Sequence, residues 1–561
     1  MDVVFFDEVG SVRRSDRLGR DSAEPMRPVE PLMTGRFAAR FSLGLVLAGI
    51  ALLLVELLRD RSLWLDESLL ALNILGRSPS ALLEPLDYQQ GAPAGFLLLQ
   101  KLMVSLFGDS ERALRLVPLI AGMGALFGFR RLALDRLDAV TAVLASGLFA
   151  LSAPVVYFAT EAKPYSVDVA VTVWLLLGWT RFAARAPSVR ATAMLGFAGA
   201  TAVWLSHPSV FVLAGIGVAG VTACVASGDR RRLAALLGAG PLWAASFAAC
   251  WAIHLRHLVS NEFLTHFWRR SFLPGPFALD WIVESFALPY LSYLALTPWG
   301  LLTALLAVVG ALRLAIRDRS LVVVTAAATA VMLFASMKSI YPAFERLLMF
   351  LAPLVVMLVG GGAGAVVVWL STRLRILAAA AVAVFLAWPT YGALELLAAP
   401  RQVQEIKPVL EFIKSHEQPS DVIYIFHLAA YPFKYYAARY GFNDAFDPAD
   451  YVNPELKRAY ADGRPRVFER DGYSTLVMGY TSFFTTEKPE DVRDDLAILA
   501  GRPRVWILLS HSTGGNDARQ MILDRLDSLG TRTLSLRKPG RWGGSEVHLY
   551  DLSSASHEGR G

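Results

Sequence analysis

Apolar segments of about 20 residues, the length that crosses the hydrocarbon core of a membrane, recur along the chain between Phe41 and Leu397. As α-helices they predict about eleven membrane spans. The predicted spans lie at residues 41–58, 113–130, 139–158, 166–184, 191–206, 209–226, 233–253, 291–312, 320–337, 346–369 and 376–397. No small-residue cleavage site soon follows the first span, so we interpret it as a span and not as a removed signal peptide. The pattern therefore predicts an α-helical polytopic membrane protein.

The arginine-rich loops between the predicted spans indicate the orientation of the chain. Ala94–Phe107 is apolar but short for a crossing, and we interpret it as a helix that lies at the membrane surface. With that interpretation every arginine-rich loop falls on the cytoplasmic side, as the positive-inside rule requires. The sequence therefore predicts a cytoplasmic N-terminus and an extracytoplasmic C-terminus.

From about residue 399 the pattern becomes that of a soluble α/β domain. Buried strands are predicted at 421–426, 504–509 and 546–551, and helices at 408–416, 431–440 and 517–529. The predicted organisation is a cytoplasmic tail at 1–40, a transmembrane domain at 41–398 and an outer α/β domain at 399–561. Two outer loops interrupt the transmembrane domain, at 59–112 and 254–290.

Composition agrees with this organisation and excludes several classes of protein. Hydrophobic residues make up 55% of the chain and charged residues 18%, against about 25% charged in soluble proteins. The cysteines, Cys224 and Cys250, lie in apolar segments and indicate no disulfide framework. The net charge of +6 comes with arginines clustered in short loops, so it reports orientation and not binding of nucleic acid.

Acidic residues stand out at the predicted outer boundary of the membrane. Asp66 and Glu67 follow the first span in Trp64-Leu65-Asp66-Glu67, while Glu161 precedes the fourth span and Asp168 lies at its start. Ionisable residues at membrane depth are costly and commonly mark a site. Solvated charge at the boundary is the alternative, and the residues alone leave both interpretations open.

Cationic residues lie at the same predicted boundary. Lys163 follows Glu161, Arg346 begins the tenth span, and Arg270 lies in the second outer loop. Such side chains can bind a phosphate group, but they also extend to lipid headgroups from these positions. Both interpretations stay open here as well.

The order, spacing and sidedness of these motifs resemble the polyprenyl-phosphate-dependent glycosyltransferases of the GT-C class. The family concerned is that of the dolichyl-phosphate-mannose protein mannosyltransferases and bacterial aminoarabinose transferases. Asp66-Glu67, preceded by Trp64, is similar to the family's acidic motif in the first outer loop. The segments 107–115, which leads into the second span, and 157–168, which follows the third, match two further motifs. The resemblance covers roughly residues 41–397.

This resemblance implies a GT-C-like fold and an inverting enzyme that moves one sugar from polyprenyl phosphate to a lipid, glycan or protein acceptor outside the membrane. One departure is Gln89-Gln90-Gly91-Ala92-Pro93, where members often carry a charged residue or His before the proline. The expected roles are catalysis by Asp66 and Glu67, binding of a divalent ion (Mg, Mn or Ca) by Asp66, Glu161 and Asp168, binding of the donor phosphate by Lys163, Arg346 and Arg270, and substrate binding by Gln90 and Tyr165.

Two other functions fit a chain with many spans. A transporter or flippase of lipid-linked sugars also needs buried charge, but transporters are commonly built from two similar halves, and the sequence shows no such symmetry. Alternatively, the outer domain carries the function and the spans are an anchor, although eleven spans exceed what anchoring requires. The sequence therefore favours a glycosyltransferase of the plasma (inner) membrane, and it defines neither the sugar nor the acceptor.

Overall fold

The computed structural model describes residues 33–399, 401–446, 466–479, 496–512, 518–540 and 543–554. Its helices are α1 (Gly35–Leu58), α2 (Leu65–Gly76), α3 (Ala94–Phe107), α4 (Glu111–Arg136), α5 (Ala139–Ala150), α6 (Ala153–Phe158), α7 (Tyr165–Ala184), α8 (Val189–Leu205), α9 (Ser209–Ser227), α10 (Arg230–Cys250), α11 (Arg256–Val259), α12 (Glu262–Phe267), α13 (Leu279–Trp281), α14 (Leu288–Tyr293), α15 (Gly300–Arg317), α16 (Arg319–Met337), α17 (Ala352–Ser371), α18 (Arg375–Ala398), α19 (Lys407–His416), α20 (Ala430–Ala437) and α21 (Ala518–Leu529). Its strands are β1 (Val422–Ile425), β2 (Arg466–Phe468), β3 (Thr475–Met478), β4 (Val505–Ser510), β5 (Thr531–Lys538) and β6 (Ser545–Asp551).

Within the described chain, nine helical segments are long and apolar enough to cross a membrane, as expected of a multi-pass membrane protein. They are Gly35–Leu58, Glu111–Arg136, Tyr165–Ala184, Ser209–Ser227, Arg230–Val259, Gly300–Arg317, Arg319–Met337, Glu345–Ser371 and Arg375–Ala398. Each overlaps a predicted span. The other two predicted spans, 139–158 and 191–206, correspond to shorter apolar helices. The polytopic helical architecture is confirmed, and the count of eleven crossings stays a prediction.

Prolines account for two differences between the predicted and observed boundaries. The predicted span 139–158 is two helices, because α5 ends at Ala150 and α6 begins at Ala153 with Pro154 in its first turn. The predicted span 291–312 begins instead at Gly300. Pro298 disfavours helical backbone at the residue before it, so the chain turns there.

Helix α5 lies at the centre of the transmembrane region. All of its residues from Val140 onward are buried, and it packs against α1, α4 and α17. Close approach depends on glycine, since a Cβ added at Gly360 of α17 would lie 2.7 Å from Cβ of Ala145 in α5. The 3₁₀ turn Glu345–Leu351, which carries Arg346, leads into α17 and packs against α7.

The C-terminal region contains a six-stranded sheet of order β2-β3-β1-β4-β6-β5. Strand β1 pairs in parallel with both β3 and β4, and the other three pairs are antiparallel. The buried strands β1, β4 and β6 are the three that the sequence predicted, so the predicted α/β layer is confirmed. The sequence did not predict β2 and β3, or β5, whose residues are half-buried or exposed at the edge of the sheet.

The C-terminal domain is hydrogen-bonded to the segment between α1 and α4. The backbone N–H groups of Ser62, Leu63 and Leu65 donate, respectively, to the side chains of Glu405 at 3.1 Å, Tyr436 at 2.9 Å and Gln404 at 2.8 Å. The hydroxyl of Tyr436 in turn donates to Glu111, at the start of α4, at 2.8 Å. The beginning of α2 is therefore held by the membrane region on one side and by the C-terminal domain on the other.

Candidate functional site

Asp66, the second residue of α2, lies between two cations. Nζ of Lys163 is 2.8 Å from its Oδ1, and Nη2 of Arg346 is 3.6 Å from its Oδ2. Burial opposes ionisation of this carboxyl, but Lys163 and Arg346 outweigh it and hold the pKa of Asp66 below its ordinary value. Because 18% of the side chain remains exposed, the site presents an ionised carboxylate to a substrate at neutral pH.

Both carboxylate oxygens of Glu67, the next residue, accept hydrogen bonds. Arg115 of α4 donates from Nε to Oε1 at 2.9 Å and from Nη2 to Oε2 at 2.8 Å, and both side chains are almost fully buried. The backbone N–H of Ala162 also donates to Oε1 at 2.8 Å. Glu67 therefore ties α2 to α4 and to the turn that carries Glu161 and Lys163.

Glu161 lies in this turn, between α6 and α7. Its Oε1 accepts a hydrogen bond from the indole Nε1–H of Trp64 at 2.6 Å, while its buried Oε2 has no hydrogen-bond partner among the described residues. Burial, and then the carboxylates of Glu67 and Asp66, raise the pKa of Glu161 to about 7. Glu161 therefore changes charge near neutral pH, whereas Asp66 stays ionised.

Arg346 is held by aromatic rings. Its Cζ lies 5.8 Å from the ring centroid of Trp64 and 5.6 Å from that of Trp268, within the range of cation–π attraction. Its Nε is buried and finds no hydrogen-bond acceptor in the described part of the chain. A buried guanidinium with an unused donor is suited to an anionic group of a ligand.

Gln90 and Tyr165, the two predicted substrate-binding residues, also lie near Lys163 and Arg346. The side-chain oxygen of Gln90 accepts a hydrogen bond from Nζ of Lys163 at 2.8 Å, so Lys163 links Gln90 to Asp66. Tyr165 is buried, with its ring centroid 5.0 Å from that of Phe158, and it lies near Arg346.

In the described part of the chain, Asp168 and Arg270 form no hydrogen bond or ion pair with Asp66, Glu161, Lys163 or Arg346. Asp168 is buried on α7 beside Ser206 and near Tyr341. Arg270 is exposed in the short turn Arg269–Ser271, and within the described ranges it forms no ion pair. The roles predicted for these two residues stay predictions.

The predicted ligands of a divalent ion do not form one donor set. Asp168 does not join Asp66 and Glu161, and both oxygens of Asp66 face cations. Over the described residues, no group of three His, Cys, Asp or Glu side chains is arranged to hold an ion. The residues present therefore do not fit the predicted three-carboxylate metal site.

The structure reveals contributors that the sequence did not indicate. Arg115 pairs with Glu67, and His511, which follows β4, lies with its ring centroid 6.4 Å from that of Trp64. One signal was available for His511, because polar residues that follow a buried strand of a parallel sheet commonly lie at a ligand site. Arg115 belonged to a recognised motif, but nothing in the sequence indicated its partner.

An apolar cavity of about 780 Å³ lies next to two residues that adjoin Arg346 in the structure or in the chain. It runs between α9, α10 and α16, and its lining includes Phe211, Trp243 and Tyr341. Trp268 and Leu347 also line it, and they are respectively the ring against Arg346 and the residue after it. An apolar cavity whose lining residues adjoin a cation suits a ligand with an apolar chain and an anionic head.

The described residues, with polytopic helices, an acidic segment after α1 and a C-terminal sheet, have a GT-C-like fold. The resemblance predicted this fold, and it is confirmed by likeness to the crystal structure of ArnT from Cupriavidus metallidurans in the apo state. That comparison has a TM-score of 0.50 at 13% identity and covers 92% of this chain and 98% of that chain. At this level of identity the likeness concerns the fold.

Other GT-C structures align less well. ArnT from Cupriavidus metallidurans bound to undecaprenyl phosphate gives a TM-score of 0.49 at 12% identity, covering 92% of this chain and 98% of that chain. The Archaeoglobus fulgidus oligosaccharyltransferase in complex with Zn and sulfate gives 0.41 at 15% identity and covers 71% of this chain and 60% of that chain. No protein-family model matches the sequence, and no curated protein matches it.

Proposed function

We propose that this protein is an inverting membrane glycosyltransferase that moves one sugar from a polyprenyl-phosphate donor to a hydroxyl of an acceptor on the outer face of the plasma (inner) membrane. The observation that carries the proposal is the placement of Asp66 between Lys163 and Arg346, together with the apolar cavity that Trp268 and Leu347, the neighbours of Arg346, help to line. The acceptor is a lipid, a glycan or a protein of the cell envelope.

In this proposal the donor binds with its chain in the cavity and its phosphate at the cations. Arg346 lies against Trp268, which lines the cavity, and has an unused donor, and Lys163 lies on the other side of Asp66. When the bond between the anomeric carbon and the phosphate oxygen breaks, its electron pair leaves with the phosphate. Fixed positive charge in a partly desolvated site stabilises that developing negative charge.

Asp66 is the proposed general base. The acceptor oxygen attacks the anomeric carbon, the new carbon–oxygen bond forms, and the hydroxyl proton passes to the carboxylate of Asp66. A low pKa makes Asp66 a weak base, but the hydroxyl proton becomes more acidic as its oxygen bonds to carbon. Glu67 is assigned to positioning, because Arg115 and Ala162 occupy its oxygens.

In this proposal Lys163 and Arg346 therefore neutralise the negative charge of the leaving phosphate. Since the three predicted carboxylates do not form one donor set, no step of this proposal involves a divalent ion, and the proposal does not include the requirement for Mg, Mn or Ca that the resemblance implied.

The test is mass spectrometry of envelope lipids and glycans from a deletion strain that carries the wild-type gene or Asp66→Asn. The wild type should restore one glycosylated product, and Asp66→Asn should reduce it by about 10²–10⁴-fold, the usual cost of losing a positioned base. Asp87→Asn is the matched control, because Asp87 lies in the same loop and pairs with Arg77 at 2.8 Å, away from the centre. Equal product from the two variants would show that Asp66 is not catalytic.

A further inference from the structure

A histidine at the turn between α8 and α9 lines the apolar cavity. His207 lies just before the start of α9, and its half-buried side chain is part of the cavity wall. Its Nε2 is buried, and neither of its ring nitrogens forms a hydrogen bond with any described residue. Because buried polar groups are nearly always hydrogen-bonded, an imidazole without a partner in a cavity wall indicates a ligand.

The cavity has a long apolar part and one polar end. Its lining on α10 runs from Leu236 to Phe247, about 16 Å at the rise of an α-helix and about half the thickness of a hydrocarbon core. All the lining residues of α10 are apolar. A ligand that fills the cavity therefore has a long apolar chain, with its polar head beyond the ends of α9, α10 and α16. The lining residues with a hydroxyl or imidazole group lie there, and they are His207, Thr265, Ser339 and Tyr341.

On one side His207 adjoins the segment that binds Lys163. Its ring centroid lies 5.6 Å from that of His254, whose Nε2–H donates to the carbonyl of Ala92 at 2.8 Å. Ala92 is two residues from Gln90, the hydrogen-bond partner of Lys163. His207 is therefore separated from this cation's partner by one histidine ring and a short stretch of chain.

On the other side His207 adjoins the turn that carries Arg346. Phe211, one helical turn after His207, has its ring centroid 5.1 Å from that of Tyr341. The hydroxyl of Tyr341 donates to the carbonyl of Leu347, the residue after Arg346, at 2.6 Å. His207 thus lies between the segments that hold the two cations of the site.

The backbone that carries His254 is irregular at this point. Residues Trp251–Leu255 are π-helical, and both of these end residues line the cavity while His254 is buried behind His207. Single π-helical turns next to α-helices are rare and frequently lie at functional sites. This second observation, independent of His207, also indicates a ligand at the polar end of the cavity.

The protonation of His207 suits it to donate a hydrogen bond without adding charge. Burial, and then the neighbouring His254, lower the pKa of His207 to about 3, so its ring is neutral and has one N–H. Since Nε2 is buried, Nδ1 is the nitrogen left for a ligand in the cavity. Lys163 and Arg346 already supply positive charge, and a neutral donor supplements them without repulsion.

We infer that His207 donates a hydrogen bond from Nδ1 to a phosphate oxygen of the lipid whose chain lies in the cavity. This inference rests on the proposed function and deepens it, because it adds a residue that recognises the phosphate of the donor to the two cations. Lys163 and Arg346 attract the phosphate by their charge, and the directed hydrogen bond from His207 orients it.

The test measures the affinity of the purified full-length protein for undecaprenyl phosphate and for undecaprenol, which has the same chain without the phosphate. His207→Ala removes the ring, and His207→Asn places a side-chain N–H₂ group at about the position of Nδ1. His416→Ala is the matched control, because His416 is exposed on α19 and contacts Phe412 and Ser415 of its own helix. His207→Ala should bind undecaprenyl phosphate at least about tenfold more weakly, the cost of a lost hydrogen bond of about 1.4 kcal/mol. Its affinity for undecaprenol and its thermal midpoint should not change.

His207→Asn should restore most of the affinity for undecaprenyl phosphate, and His416→Ala should match the wild type. Unchanged affinity of His207→Ala for undecaprenyl phosphate overturns the inference, as does an equal loss for the two ligands, which would assign His207 to the shape of the cavity. A thermal midpoint that falls in both His207 variants, a failure of Asn to restore affinity, or an equal loss in His416→Ala also overturns it. Wild-type protein that binds undecaprenyl phosphate no more tightly than undecaprenol refutes the donor assignment of the proposed function itself, so the two failures are distinguishable.

Discussion

Replacing Glu67 by Gln should destabilise the protein strongly although the substitution is nearly isosteric. Arg115 donates four hydrogen bonds in the structure, two to the Glu67 carboxylate and one each to the carbonyls of Arg61 and Ser62. The guanidinium and the carboxylate are 2% and 1% exposed, so water cannot replace a lost partner.

The size of the effect follows from these contacts. Gln at position 67 retains an oxygen for Nε of Arg115 and the N–H of Ala162, but its amide N–H₂ group then faces Nη2. One charge-assisted hydrogen bond is lost, which costs about 1.5–3 kcal/mol, and the buried guanidinium loses its counter-charge. Removal of one partner of a buried pair costs about 3–5 kcal/mol in total.

The assay is thermal unfolding of the purified protein, followed by tryptophan fluorescence at one fixed scan rate, since membrane proteins of this size commonly unfold irreversibly. Glu67→Gln should lower the midpoint by about 3–4 °C. The double variant Glu67→Gln with Arg115→Met should recover more than half of the loss, because it leaves no buried charge.

The matched control lies on the same helix as Arg115. Asp135→Asn removes the exposed pair of Arg131 with Asp135, 2.9 Å apart, and should change the free energy of unfolding by about 0.5 kcal/mol or less. Equal shifts of the thermal midpoint in Glu67→Gln and Asp135→Asn would show that the pair of Glu67 with Arg115 does not stabilise the segment between α1 and α4.

Three further predictions concern metal, pH and topology. Because Lys163 and Arg346 neutralise the leaving phosphate in our proposal, exhaustively chelated enzyme should keep its activity; activity restored by Mg, Mn or Ca would instead support the ion. Burial and the neighbouring carboxylates raise the pKa of Glu161 from 4.5 to about 7, so the folded state holds a proton that the unfolded chain releases. Stability should therefore fall, by on the order of 3 kcal/mol, as the pH rises from 4.5 to 7, and Glu161→Gln should abolish that slope in denaturation measured across this range. A reporter fused after Ser553 should be active outside the cytoplasm, and cytoplasmic activity there would contradict the orientation.

The sequence predicted the helices and strands that a local run of apolar residues defines. Apolar runs identify membrane helices because each must satisfy its own backbone in lipid. The short apolar runs of β1 and β4 identify strands that are buried on both faces of the sheet. It did not predict β5, whose residues are half-buried or exposed at the edge of the sheet. The break within 139–158 was also missed, although Pro154 was visible, because a proline in a first turn is compatible with a helix.

The candidate site was predicted in part. The sequence identified Asp66, Glu161, Lys163 and Arg346, which the structure brings together across three separate segments. It could not distinguish Asp66 from Glu67, since adjacent residues on a helix point in different directions and their partners come from distant parts of the chain. The contribution of His511 depends on how two domains pack, and no local pattern records that.

The hydrogen bonds between residues 62–65 and the C-terminal domain also determine when the centre around Asp66 is completed during synthesis. Residues 62, 63 and 65 receive their side-chain acceptors from positions 343, 373 and 339 residues further along the chain. Because domains generally fold in the order of translation, the membrane helices are inserted while these N–H groups still lack their final acceptors. The centre around Asp66 is therefore completed late in translation, and a nascent chain does not complete it before the C-terminal domain has folded.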